Sequence, residues 1–264
     1  MKKLLPFFVL VVFVLAVSCV FAQETGSGSV SRIGIISAMD TEIDLLLSYA
    51  DIEYEDEVGG IIFHIGTLCG KNVVIVRAGI GKVLAAAGTA ALLNRYDISS
   101  LIFTGVAGGV GDATKVLDMV IATDLVQHDY GMISGEDFVW SPPNDNTTGG
   151  FYPCDGSLVD LAYSAAVETV GEDRVFKGTI ATGDQFVASS SYVKLLQEKF
   201  DAIACEMEGA SVAAVCVQYN VPFVVIRTMS DKADGAAHET YENWVDIASD
   251  NSCSIVMKML EEMN

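Results

Sequence analysis

Glu206-Met207-Glu208 closes a short apolar run, and 22 residues after Glu208 the pair Ser230-Asp231 closes a longer one. Glu42 stands just beyond a third, in Ile33-Gly34-Ile35-Ile36-Ser37-Ala38-Met39-Asp40-Thr41-Glu42. Carboxyl groups with a neighbouring hydroxyl can hold a pair of vicinal hydroxyls and deliver a proton to a basic nitrogen. Two acids this close to an apolar segment are costly to bury without partners, and a diol would satisfy one of them bidentately. The competing role for Glu206 or Glu208 is favourable charge at a helix N-terminus. Ser-Asp is likewise an ordinary helix cap, but Lys232-Ala233-Asp234-Gly235 after it looks like loop rather than amphipathic helix. Acids at the carboxyl ends of central strands face the crevice where α/β proteins bind ligands. Three acids ending three segments therefore point to one assembled site.

Two glycine-rich segments could line the same crevice. Thr104-Gly105-Val106-Ala107-Gly108-Gly109 reads as a turn directly after a strand, where glycines let backbone N–H groups approach a ligand. It is neither a dinucleotide fingerprint nor a phosphate loop, because no G-x-G-x-x-G opens a helix there and no Gly-Lys-Ser/Thr follows. Ala78-Gly79-Ile80-Gly81-Lys82-Val83 reads as a second turn, with Lys82 either solvated or beside the site. His64, His128 and His238 are scattered and read as structural or surface residues, and the six cysteines have no paired C-x-x-C spacing. A zinc site is therefore not supported. Cys205 and Cys216, in apolar runs, read as buried small hydrophobes.

The elements that must position these groups alternate. Strands are expected at Ile33–Ile36, Ile61–Gly66, Asn72–Arg77, Ser100–Thr104, Met119–Leu125, Ile203–Glu206 and Pro222–Met229. Helices are expected at Thr41–Tyr49, Lys82–Arg95, Leu158–Thr169, Ser191–Lys199, Gly209–Tyr219 and from about Tyr241 to Met263. This order predicts a single α/β domain whose central mixed, mostly parallel β-sheet carries helices on both faces. Gly131–Gly156 has no periodicity and reads as a long surface loop, a lid or an oligomer contact, with a weak glycosylation pattern at Asn146-Thr147-Thr148.

With 264 residues, 51% of them hydrophobic, the chain can build one substantial core. Fifteen basic against thirty-five acidic side chains give a net charge of −20, which repels phosphate backbones and argues against a nucleic-acid partner. Residues 1–22 read as a signal peptide: Lys2 and Lys3, an apolar stretch from Leu4 to Val17, then a cleavage site at Val20-Phe21-Ala22. Retention as a membrane anchor and lipidation at Cys19 are the alternatives, so the expected location is exported, in the periplasm or cell envelope. Residues 23–31 read as a flexible linker, and 32–264 as the domain.

Seven pieces of this domain, in order, carry a resemblance. They are Ile33–Glu42, Gly79–Val83, Thr104–Gly109, Gly183-Asp184-Gln185-Phe186-Val187, Glu206–Glu208, Val221–Arg227 and Ser230-Asp231. Together they resemble the nucleoside phosphorylase/hydrolase superfamily and, within it, the methylthioadenosine/S-adenosylhomocysteine nucleosidase family. The resemblance implies a nucleoside phosphorylase-like fold and hydrolysis of an N-glycosidic bond to adenine, without metal or organic cofactor. It makes Asp231 the acid at purine N7, with a carboxyl raised by burial, and Glu42 the base for the attacking water. It gives Glu208 the ribose hydroxyls, Met207 the sugar, Phe186 and Val187 the adenine, and Ser230 the support of Asp231. Ile80 and Tyr241 fall near the 5′-substituent, and Met39, Ala107 and Gly108 complete the substrate-binding set. It further implies a homodimer whose partner loop, around Met132, closes the pocket.

Two departures bear on the 5′-substituent. Val106 stands where the family usually has serine, and Tyr130-Gly131 after His128-Asp129 lacks a second acid. A phosphorylase using phosphate is the nearer alternative, and a non-catalytic exported nucleoside-binding protein the more distant one. A phosphorylase would need cationic residues around the phosphate, whereas this chain has Ile80-Gly81-Lys82 and a positioned glutamate, Glu42, which favours water.

Overall fold

A computed structural model describes residues 30–143 and 149–263. The expected leader, Cys19, most of the linker and the Asn146-Thr147-Thr148 pattern lie outside the described residues. The domain opens with β1 (Arg32–Ser37), a 3-10 turn (Asp40–Glu42) and α1 (Asp44–Tyr49). An antiparallel meander of β2 (Asp51–Val58), β3 (Ile61–Leu68) and β4 (Lys71–Arg77) follows. Then come α2 (Lys82–Arg95), β5 (Ile98–Gly109), β6 (Met119–Gln127), β7 (Gly131–Ser134), β8 (Asp137–Trp140) and β9 (Phe151–Pro153). The remainder is α3 (Gly156–Val170), β10 (Val175–Thr182), α4 (Ser190–Phe200), β11 (Ala202–Glu206), α5 (Gly209–Tyr219), β12 (Phe223–Asp231) and α6 (Ala237–Glu262).

The main sheet is mixed. Its parallel pairings form two blocks, β4-β1-β5-β12 and β6-β10-β11. Antiparallel contacts of β12 with β6 and of β11 with β5 join the blocks, so five strands close on themselves. Strand residues alternate between two cores: Leu101, Phe103 and Val225 face α2 and α5, whereas Ile102, Val224 and Ile226 face α1, α3 and α6. Burial on both faces explains why these strands read as unbroken apolar runs. The carboxyl ends of β1, β5, β11 and β12 converge, and the three acids follow from that geometry.

Several expectations need correction. Gly105–Gly109 is not a turn but the second half of β5, because β12 and β11 pair with it and satisfy its backbone groups. The glycines answer instead to close approach: a Cβ on Gly105 would collide with the Glu42 carboxylate, and one on Gly108 would meet Asp231 Oδ1 at 2.9 Å. Gly131–Gly156 is not a plain loop either. It contains a β7–β8 hairpin turned at Gly135, whose φ is +67°, and β9 paired with β6. Both hairpin strands are almost wholly exposed, so no apolar-polar alternation marks them. Acidic β2 is a strand created by pairing rather than by composition, and β10 is a further strand beyond those expected. The first helix breaks at Ile43, and the last begins earlier than expected, at Ala237.

Candidate active site

Glu42 is held where β1 ends and β5 continues. Its Oε2 accepts from Ala38 N and Met39 N, both at 2.9 Å, and its Oε1 accepts from Val106 N at 3.0 Å. The carboxylate thus stands in for the β1 backbone that no longer flanks β5. Burial pushes its pKa up, while the charge of Arg227 and those three N–H groups oppose the rise. Asp231 ends β12, with Oδ1 accepting from Ala233 N at 2.7 Å and Oδ2 from the Ser230 hydroxyl at 2.9 Å. Burial raises its carboxyl too, against those two hydrogen bonds. Glu208, between β11 and α5, accepts from Gly81 N at 2.8 Å. Burial first, and the charge of Glu206 second, lift it to about 8.

The three acids line one cavity of about 280 Å³. Met39, Ile80, Ala107 and Gly108 line it as well, as do Phe186, Val187, Met207, Ser230 and Tyr241. Every residue singled out from the sequence as catalytic or substrate-binding is therefore at this cavity. Phe186 lies at its lip with half its surface exposed, edge-on to Tyr241 at 5.8 Å between ring centroids. Tyr241 Oη contacts Met39 Sδ at 3.3 Å.

The chain matches the profile described as "Phosphorylase superfamily" over residues 32–261. It belongs to the phosphorylase superfamily. Among its relatives is the 5′-methylthioadenosine/S-adenosylhomocysteine nucleosidase of Shewanella frigidimarina, 36% identical, the match covering 88% of this chain and 100% of that one. The nucleosidase of Neisseria meningitidis, solved in complex with methylthio-immucillin-A, superposes with a TM-score of 0.81 at 33% identity. That match covers 89% of this chain and 100% of the other. The futalosine hydrolase of Helicobacter pylori superposes with a TM-score of 0.80 at 33% identity, covering 89% and 99%.

In this member of the phosphorylase superfamily, sequence reasoning missed Arg227 and the partners that hold Glu206 at the cavity wall. Glu206 is buried and accepts from Thr182 Oγ1, Glu208 N, Gly209 N and Arg227 Nη2. It therefore anchors the start of α5 rather than facing a ligand alone. Arg227, 1% exposed, pairs with Glu206 at 2.7 Å and lies 3.9 Å over the Phe103 ring. Its position inside a strongly apolar strand was the available signal, since a charge there needs a buried partner. His238 lines the cavity mouth, and His128 is buried against Tyr192. Lys82 is not solvated but paired with Asp129 at 2.6 Å. Cys205 and Cys216 are buried, as their apolar surroundings require.

Proposed function

We propose that this protein is an adenine-releasing N-glycosidase of 5′-substituted adenosines, with 5′-methylthioadenosine and S-adenosylhomocysteine as its first substrates and 5′-deoxyadenosine as a third. The observation that carries this reading is the convergence of Glu42, Glu208 and Asp231 on one cavity. Rupture of the C1′–N9 bond leaves its electron pair on the purine, and Asp231 gives its proton to N7. Glu42 takes a proton from a water whose oxygen bonds to C1′, so one water is consumed for each adenine and ribose fragment formed. Glu208 accepts from the ribose hydroxyls, and Phe186 covers the base. The raised Asp231 carboxyl suits an acid that must hold its proton near neutrality.

Phosphate would need cationic partners, yet among the described residues no Lys or Arg lines the cavity, and Arg227 behind it is engaged by Glu206. Adenine release should therefore proceed at the same rate in phosphate-free buffer and in phosphate. A strict requirement for phosphate, with a ribose 1-phosphate product, would overturn hydrolysis.

We further infer a homodimer formed across the cavity mouth. Val83 is 77% exposed and Ile133 72%, with Leu84, Met132 and Phe138 exposed beside them on α2 and the β7–β8 hairpin. The Lys82–Asp129 pair ties that turn of α2 to the strand leading into the hairpin, so these apolar groups share one side of the molecule. Ile133→Asp is expected to give a monomer in analytical ultracentrifugation. A variant still dimeric at micromolar concentration would remove this face from the interface.

Export fits the reading of residues 1–22. Val30, the first described residue, precedes β1, whose other end leads to Glu42. The mass of the protein recovered from the cell envelope distinguishes cleavage after Ala22 from lipidation at Cys19.

A further inference from the structure

We propose that Lys82, Asp129 and Asp184 form a positioning triangle that fixes the ribose-side and base-side loops of the cavity to each other. Its three corners lie on separate segments: the first residue of α2, the segment just after β6, and the loop after β10. Lys82 N donates to Asp184 Oδ1 at 2.8 Å, and Asp184 N donates to Asp129 Oδ2 at 2.8 Å. The Lys82 ammonium donates to Asp129 Oδ1 at 2.6 Å and to Gln127 Oε1 at 3.2 Å. Lys82 only donates, Asp129 only accepts, and Asp184 does both, accepting from Lys82 N and donating to Asp129. Gln185 Nε2 adds a longer contact to Asp129 Oδ2 at 3.4 Å.

What the triangle holds is the cavity wall. Immediately before Lys82, Gly81 donates its N–H to Glu208, the carboxylate assigned to the ribose, and Ile80 lines the pocket. Immediately after Asp184, Gln185, Phe186 and Val187 line the opposite side, where the base would stack. Among the described residues no other hydrogen bond joins the two loops directly, and Phe186 is half exposed. Gly81 has φ +93°, a conformation that leaves Lys82 N at the exposed N-terminus of α2, where an Asp184 carboxylate is favoured by the helix dipole. The Lys82 and Asp129 side chains are only 17% and 13% exposed, so solvent screens their attraction less than at a surface pair. Burial by itself would raise the Asp129 carboxyl, but the Lys82 and Asp184 hydrogen bonds outweigh it and keep it low and ionised. The Asp129 carboxyl is therefore already ionised where the raised site carboxyls titrate.

This role presupposes the adenine-nucleoside reading above, and its test has one readout that does not. Lys82→Met, Asp129→Asn and the double variant are compared with the wild-type enzyme on 5′-methylthioadenosine. Losing a charge-assisted bond should raise KM about tenfold in each single variant, with kcat within about threefold and the pH profile unmoved. The double variant should be no worse than the poorer single, because both remove one device. Lys82→Arg should restore most of the KM. Asp184→Ala, at an exposed position where folding is not at stake, should raise KM in the same direction. Independently of substrate, Asp129→Asn should speed amide hydrogen exchange in residues 79–82 and 183–187 together. Unchanged KM in Asp184→Ala, additive singles, or exchange confined to one loop would each overturn the triangle. A wild-type enzyme that releases no adenine would instead sink the substrate reading, leaving the exchange result to judge the triangle.

Discussion

Asp231→Asn should lower kcat by about 10²–10⁴-fold while leaving the protein folded and able to bind substrate. Asparagine keeps the shape: its oxygen can still accept from Ala233 N, and its amide can donate to the Ser230 oxygen, both of which now surround the Asp231 carboxyl. Gly108 leaves room for either side chain. The amide can also donate a hydrogen bond to a purine nitrogen, so binding survives. It cannot surrender a proton, so the leaving group departs as an anion. The measurement is adenine release at saturating substrate, and a variant retaining a tenth of wild-type kcat would remove Asp231 from the acid's role.

Stability should move the other way. Burial raises the Asp231 carboxyl above its value in the unfolded chain, so the native state holds its proton to higher pH than the unfolded state does. The stability associated with that difference is present at low pH and is lost as pH rises through the folded pKa. Asparagine has no charge to bury. Relative to the wild type, Asp231→Asn should therefore be near neutral at pH below 4 and more stable at pH above the raised folded pKa, read as a difference in melting temperature at the two extremes. The same reasoning applies to Glu42, whose carboxyl is also raised, and it shapes the rate profile. Activity needs Glu42 ionised and Asp231 protonated, so it should fall toward acid through the first and toward alkali through the second.

The parts of the site legible in the sequence were those where side-chain type and chain position agree. Glu42, Glu208 and Asp231 each follow an apolar run that could only be a buried strand, and a buried strand in an α/β domain ends at the crevice. Their partners were less legible because the partners are backbone atoms. Nothing in the order of residues says that Val106 N would point at Glu42, or that Gly81 N would point at Glu208. The same limit explains β5. Its glycines look like a turn when read locally, but β11 and β12 arrive from about 100 residues away or more to pair with them. The β7–β8 hairpin escaped notice for the opposite reason, since its apolar residues are exposed and cannot report a core. Arg227 could have been read: a lone cation within Val224-Val225-Ile226-Arg227-Thr228-Met229 demands a counter-charge, and Glu206 is the acid at the end of the neighbouring apolar run.

Removing that cation is expected to have the largest effect on stability. Arg227→Met should cost about 3–5 kcal/mol, because Glu206 would remain buried without its counter-ion. Denaturant unfolding at neutral pH reads this loss. Glu206 would keep three other donors, Thr182 Oγ1, Glu208 N and Gly209 N, yet none carries a full charge. The double variant Arg227→Met with Glu206→Gln should recover much of the loss, since neutral groups of similar size then occupy the interior. Recovery of stability should not restore the wild-type rate profile. Arg227 also lowers the Glu42 carboxyl against the rise caused by burial. Without that charge Glu42 binds its proton more tightly, and activity requires it to be ionised. The acid limb of the rate profile should therefore shift toward higher pH in both variants, while the alkaline limb stays where Asp231 sets it. An acid limb unmoved in the stable double variant would show that Arg227 serves the fold alone, and that the three backbone N–H groups around Glu42 suffice to keep the base ionised.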